Sequence, residues 1–197
     1  NSLTINNSNF TANVAATLGG AIDTDDGCSI NLADCEFMGN SSGVIGGAVR
    51  FDDGHPTLDI IERCRFINNE SSEGGGAQLE RFSPRVINCQ FEGNVANGKT
   101  PGEDGNGGAL YTHEAAISFI DCTISSNTAA GSGGGVFINS DVISIESSTI
   151  CGNVPDQVQG SASDLDPANY IEDNCDGSLY SNWSNPAGGL YQSAANW

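Results

Sequence analysis

Overlaying the segments that follow each glycine pair in this chain places Asp25, Arg50, Asp52, His55, Glu80, Arg81, Tyr111, His113 and Glu114 at equivalent or adjacent positions. That mixture of carboxylates, guanidinium groups and imidazoles is the most chemically varied in the sequence. Two reactions suit it. Carboxylates could hold a cation against an acidic sugar while Arg or His abstracts a proton, which is lyase chemistry. A glycosidase would instead use two carboxylates at a set separation, and Asp52 with Glu80 are the pair for that role. Nothing singles out either set, because charged residues on an exposed face ordinarily pair with one another. Arg50, Asp52, Arg81, Tyr111 and His113 are therefore candidate binding residues of a lateral face. No catalytic residue is assigned, and the balance is against an enzyme.

Other chemistry has less support. Gly74-Gly75-Gly76 and Gly133-Gly134-Gly135 lack the Lys, Ser or Thr context of a phosphate loop or nucleophile elbow. The seven cysteines include no Cys-x-x-Cys and there is no histidine pair, so no zinc site is expected. Calcium is compatible with Asp23, Asp25 and Asp26 and with Asp52 and Asp53, but no nonapeptide or EF-hand pattern organises them. A solvated acidic face is the plainer reading.

These residues are positioned by a repeat. Phe10, Phe37, Phe66, Phe91, Ile124 and Ile150 are each followed three residues later by asparagine: Asn13, Asn40, Asn69, Asn94, Asn127 and Asn153. Glycine pairs follow the first five copies, at Gly19-Gly20, Gly46-Gly47, Gly75-Gly76, Gly107-Gly108 and Gly134-Gly135. Successive anchors are 27, 29, 25, 33 and 26 residues apart. Short runs of period-two alternation, such as Leu3 with Ile5 and Ile30 with Leu32, read as strands.

No copy holds enough apolar side chain for its own core, so the copies must stack. Coils of this length with short strands predict an all-β parallel β-helix of about six coils, roughly 30 Å long from the sheet spacing. Asparagine tolerates left-handed backbone and marks one corner, and its stacked amides can bond in a ladder. The glycine pairs mark a second corner. Ala21, Ala48, Ala77 and Ala109 then point into a narrow part of the interior.

The longest interval comes from Gly98-Lys99-Thr100-Pro101-Gly102-Glu103-Asp104-Gly105, a polar insertion expected to loop out. After Asn153 the rhythm breaks at Pro155-Asp156. The division expected is 1–154 for the repeats and 155–197 for an irregular cap or linker. Tyr170, Tyr180, Trp183, Tyr191 and Trp197 supply its aromatic content.

Cys35, Cys64, Cys89 and Cys122 each stand two residues before an anchor, with Ser8 and Ser148 in the outer copies. Cross-links between neighbouring coils fit the spacing, and so does a column of buried free thiols, which is favoured. Cys151 and Cys175 lie off this column and are the candidate disulfide. Cys28 has no evident partner.

With 25 acidic against 6 basic residues the net charge is −19, which argues against nucleic acid or an anionic membrane as partner. No apolar run is long enough for a membrane helix, so no membrane insertion is expected.

The pattern Cys-x-Phe-x-x-Asn followed by Gly-Gly-Ala resembles the right-handed parallel β-helix repeats of chlamydial polymorphic outer-membrane proteins, and more broadly the pectin-lyase-like β-helices. Cys35-Glu36-Phe37, Asn40 and Gly46-Gly47-Ala48 carry it here, with equivalents through Asn153. Gln78, where an apolar residue is usual, and Ile124 and Ile150 in place of Phe depart from it. The resemblance implies a right-handed solenoid outside the cell or at its surface. It also implies an adhesive, scaffolding or fibre-forming role. Asn1 enters straight into a coil with no cap in view, so other protein chains are the expected partners at that open end, where more chain, a partner or another copy would cover the edge. The alternative is a polysaccharide-binding or polysaccharide-degrading protein using the lateral face.

Overall fold

The computed structural model describes residues 2–25, 27–52, 59–81, 83–139, 142–160, 162–165 and 169–175. Asp26, Asp53, His55 and the expected tail aromatics Tyr180, Trp183, Tyr191 and Trp197 lie outside them. The described chain is an all-β parallel solenoid. Its sheets contain seven, seven, five and six strands, and every strand pairs with its counterpart one coil away.

The first sheet runs from Ser2–Asn6 through Ser29–Ala33, Ile60–Glu62, Arg85–Ile87, Ala116–Ile120 and Val142–Glu146 to Ala162–Leu165. The second carries the anchors, on Asn9–Thr11, Glu36–Met38, Arg65–Ile67, Gln90–Glu92, Thr123–Ser125, Thr149–Cys151 and Tyr170–Glu172. The third is a two-residue ladder beyond the asparagines, from Val14–Ala15 to Thr128–Ala129. The fourth, beyond the glycines, comprises Ile22–Thr24, Val49–Asp52, Ala77–Glu80, Leu110–His113, Val136–Asn139 and Val158–Gln159.

Stacked side chains fill the interior. Phe10, Phe37, Phe66 and Phe91 form an aromatic column with ring centroids 4.8, 4.9 and 4.6 Å apart. Ile124, Ile150 and Ile171 continue it in register. Each buried Phe removes an apolar surface worth about 1.5–3 kcal/mol from water, and a stacked pair adds about 0.5–1.5 kcal/mol. On the first sheet Leu32, Ile61, Val86, Phe119 and Ile145 stand over one another and are at most 2 % exposed.

Beside the anchors runs the asparagine ladder. Asn13, Asn40, Asn69, Asn94 and Asn127 each direct a backbone N–H and an Nδ2 to the Oδ1 of the next asparagine, at 2.8–3.0 Å. From Asn40 onward Nδ2 also donates to the carbonyl of the preceding coil's anchor, as Asn40 does to Phe10. The ladder ends on Gln157, whose Oε1 accepts from Asn153 N and Nδ2 at 3.1 and 2.8 Å.

Four expectations are corrected. The asparagines are not the left-handed residues of their corner. Positive φ falls one residue earlier, at Ala12, Gly39, Asn68, Gly93, Ser126 and Gly152. It recurs three residues before each anchor, at Asn7, Asp34, Arg63, Asn88, Asp121 and Ser147. The asparagine side chain spans the bend that its predecessor makes.

The second correction concerns register. Ala77 pairs with Val49 and Leu110, and Gln78 with Arg50 and Tyr111. The third coil's corner is thus Gly74-Gly75, with Gly76 rather than Ala77 beside Ala48 and Ala109, and the fifth coil's is Gly133-Gly134 rather than Gly134-Gly135, since Val136 pairs with Leu110. Three identical residues hide the register, and a one-residue slip turns every side chain to the other face. Gln78 therefore lies on the outward side of its strand and is no departure from an apolar interior position. Close approach explains the glycines: a Cβ at Gly47 would lie 2.0 Å from the Gly75 carbonyl oxygen.

Third, pairing runs past residue 154. Val158–Gln159, Ala162–Leu165 and Tyr170–Glu172 each join a sheet, with one register shift near Ile143. Pro155-Asp156 reads as a break, yet Asp156 Oδ1 accepts from Gly133 N at 2.8 Å and holds the turn onto the coil below. Repeat structure thus reaches about residue 172.

Fourth, the insertion does not loop out. It folds back over two earlier coils, where Thr100 Oγ1 donates to the Gly43 carbonyl at 2.7 Å and Thr100 N to Ser72 Oγ at 2.9 Å.

Candidate lateral-face site

Strand alternation aims two outward columns from the fourth sheet. One reads Asp23, Arg50, Gln78, Tyr111, Phe137 and Gln159; the other reads Asp52, Glu80, His113 and Asn139. The sheet thus brings Arg50, Asp52, Tyr111 and His113 onto one face, and Arg81 adjoins it immediately after Glu80. His55 lies outside the described residues.

Electrostatics decides what this face does. Arg50 bonds Asp23 at 3.1 Å and also Asp52, and Arg81 bonds Asp52 at 2.7 Å and also Glu80. Asp52, with its side chain 6 % exposed, bridges the two guanidinium groups. The arginines are thereby held by carboxylates of the same chain, a network that braces three coils. Arg63 with Asp34, Arg65 with Glu36, and Lys99 with Glu70 repeat the arrangement between coils elsewhere. Five of the six basic side chains are engaged in this way, so the acidic excess dominates the exterior.

Farther along the face Tyr111 and Phe137 stack at 5.4 Å, each covering one face of the other. Burial pushes the Tyr111 phenol up, and its oxygen accepts a bond from Asn139 Nδ2 at 3.1 Å. Gln78 Oε1 and His113 Nδ1 are buried with no hydrogen-bond partner. Sequence reasoning missed Gln78 because the hidden register placed it inside the tube.

The cysteine column is a second interior ladder. Cys64 N donates to Cys89 Sγ at 3.4 Å, Cys122 N to Ser148 Oγ at 3.0 Å, and Ser148 N to Asn169 Oδ1 at 2.9 Å. Cys35, Cys64, Cys89 and Cys122 are buried free thiols, and half-buried Cys28 is also free. Burial raises the Cys35 thiol; bonds to the thiols of Cys122 and Cys64, together with burial, raise Cys89. These thiols pack and donate to backbone carbonyls, and Cys89 Sγ also accepts from Cys64 N. Cys151 and Cys175 form a disulfide. Among the described residues no three His, Cys, Asp or Glu side chains are placed to hold a metal.

An all-β solenoid whose coils are keyed by stacked Phe and Asn, with its lateral cations paired internally, defines the class: a repeat-built β-helical module. Residues 88–113 and 121–139 match the family model described as the Chlamydia polymorphic membrane protein repeat. The matched segments hold the anchors Phe91 and Ile124, the ladder residues Asn94 and Asn127, and the glycine corners Gly107-Gly108 and Gly133-Gly134. No curated protein and no solved structure matches the chain.

Proposed function

We propose that this chain is a structural, adhesive module displayed outside the cell or at its surface, where it contributes to a larger assembly. The observation that carries this reading is the closure of the lateral ion pairs. Arg50 and Arg81 are bound by Asp23, Asp52 and Glu80, so the groups suited to lyase chemistry serve to lock coils together. The similarity of two coils to a polymorphic membrane protein repeat supports the location. The first coil supports end-on association. Leu3, Ile5 and Phe10 pack on the core from one side only and are half-buried, while Val14 is 80 % exposed. Further β-structure, whether of the same protein or of a partner, stacks on such backbone edges and apolar side chains.

Antibodies raised against the purified chain test the location. They label intact cells of the source organism if the reading holds. Labelling that requires permeabilisation contradicts it.

A further inference from the structure

The insertion at residues 98–105 is tied down at both ends, by different chemistry. At one end Lys99 Nζ bonds Glu70 at 3.2 Å and Asn97 Nδ2 bonds the same carboxylate at 2.6 Å, while Thr100 reaches Ser72 and Gly43. At the other end the strap lies on Glu73, which is 7 % exposed at the glycine corner. Asp104 N and Asn106 Nδ2 approach its Oε1 at 3.3 and 3.5 Å. The charged groups facing Glu73 are Glu103 and Asp104 from the strap, and the Tyr111 phenol adjoins it from the fourth sheet. Lys99 is held at the far end by Glu70. The acidic end of the strap, Glu103-Asp104, thus closes on a buried carboxyl.

We propose that residues 98–105 form a pH-sensitive strap, closed over the preceding coils while Glu73 keeps its proton, and released at its Glu103 end when that proton passes to solvent. With the proton in place the Glu73 carboxyl donates to Glu103. Without it, two carboxylates meet beside Asp104 in a partly desolvated corner, where like charges repel strongly. The energetics agree with the geometry: burial first, then the bond and charge of Glu103, push the Glu73 carboxyl up to about 7. Release leaves the Lys99 end attached and frees the segment beside Tyr111. The strap therefore responds to the change from mildly acidic to alkaline surroundings.

Hydrogen–deuterium exchange of the full chain, read by mass on the peptide that carries residues 102–105, tests this at the end that is released, where Asp104 N donates to Glu73. Exchange is compared at pH 5.5 and 8.5, each rate divided by that of Glu73→Gln in the same buffer to remove the intrinsic pH dependence of exchange. Glu103→Gln is run alongside. In either variant the glutamine amide donates to the remaining carboxylate and keeps the strap closed. The proposal expects ratios near unity at pH 5.5 and about tenfold faster exchange in the wild type at pH 8.5, the change in population that one pKa unit represents. Equal ratios at both pH values overturn it. Should Glu73→Gln fail to fold, Glu103→Gln at the half-exposed strap position supplies the same comparison.

Discussion

Asn127 Oδ1 accepts two hydrogen bonds from Asn94, one from the backbone N–H and one from Nδ2, both at 2.9 Å. The same Nδ2 donates to the Phe66 carbonyl at 2.8 Å, so one amide ties three coils together. Asn94→Ala leaves the Phe66 carbonyl, the Asn69 amide groups and Asn127 Oδ1 short of partners in the interior. Each buried orphan costs about 1–3 kcal/mol, and a total of about 3 kcal/mol is expected after relaxation. Asn13→Ala, at the exposed start of the ladder, should cost less than about 1 kcal/mol. Urea denaturation of the two variants measures the difference, and equal losses would contradict a ladder that grows stronger with burial.

The lateral ion pairs predict a second contrast. Asp52→Ala removes one partner of Arg50, whose side chain is 11 % exposed, and one partner of Arg81. A loss of about 2–3 kcal/mol follows, below the full cost of breaking a buried pair because Asp23 and Glu80 remain. Arg65→Ala, at a side chain 51 % exposed, should fall within about 1 kcal/mol of wild type. Denaturation midpoints of the two variants decide the matter.

How much of this was legible in the sequence depends on whether a residue's role is local. Phe37, Phe66 and Phe91 are large, apolar and each three residues before an asparagine, so the column and ladder follow from spacing alone. Gly74-Gly75-Gly76 could not be registered, since identical residues carry no phase; strand pairing sets it. Gln157 closes the ladder from four residues beyond Asn153, with no counterpart in the other copies, and Pro155-Asp156 hid it by reading as a break. The approach of Glu73 to Glu103 joins residues 30 apart across an insertion that interrupts the period. Nothing short-range announces it.

Thiol chemistry offers a third prediction. Ellman reagent should find at most Cys28 in the native chain and five thiols after unfolding without reductant, because Cys35, Cys64, Cys89 and Cys122 are buried and free. Burial shields them even in oxidising surroundings, since exchange needs an accessible thiolate. Three or fewer thiols in the unfolded, unreduced chain would show that neighbouring coils are cross-linked.

Stability should fall as pH rises through the Glu73 titration. The folded carboxyl sits near 7 against an ordinary 4.5, so the native state binds more protons than the unfolded chain between those values. Stability from this group is therefore fully present below about 4.5 and lost by about 7, amounting to about 2 kcal/mol for a carboxyl at the edge of the corner. Glu70 acts oppositely: bonds from Asn97 and then Lys99 hold its pKa below the ordinary value, and its contribution is lost as pH falls. Melting curves of wild type and Glu73→Gln between pH 4 and 8 separate the two. A wild-type slope that survives in Glu73→Gln would contradict the assignment.

Cysteine pairing across the first sheet tests the stacking of coils most directly. Ser118 and Ser144 are register partners with their hydroxyls 3.0 Å apart, and strands about 4.8 Å apart are within disulfide reach. The double variant S118C with S144C should form that disulfide under mild oxidation, identified by peptide mapping, while S118C with E146C, displaced by two residues, should not. Failure of the first pair to close, or equal closure of both, would contradict the stacked register on which the fold and its lateral face rest.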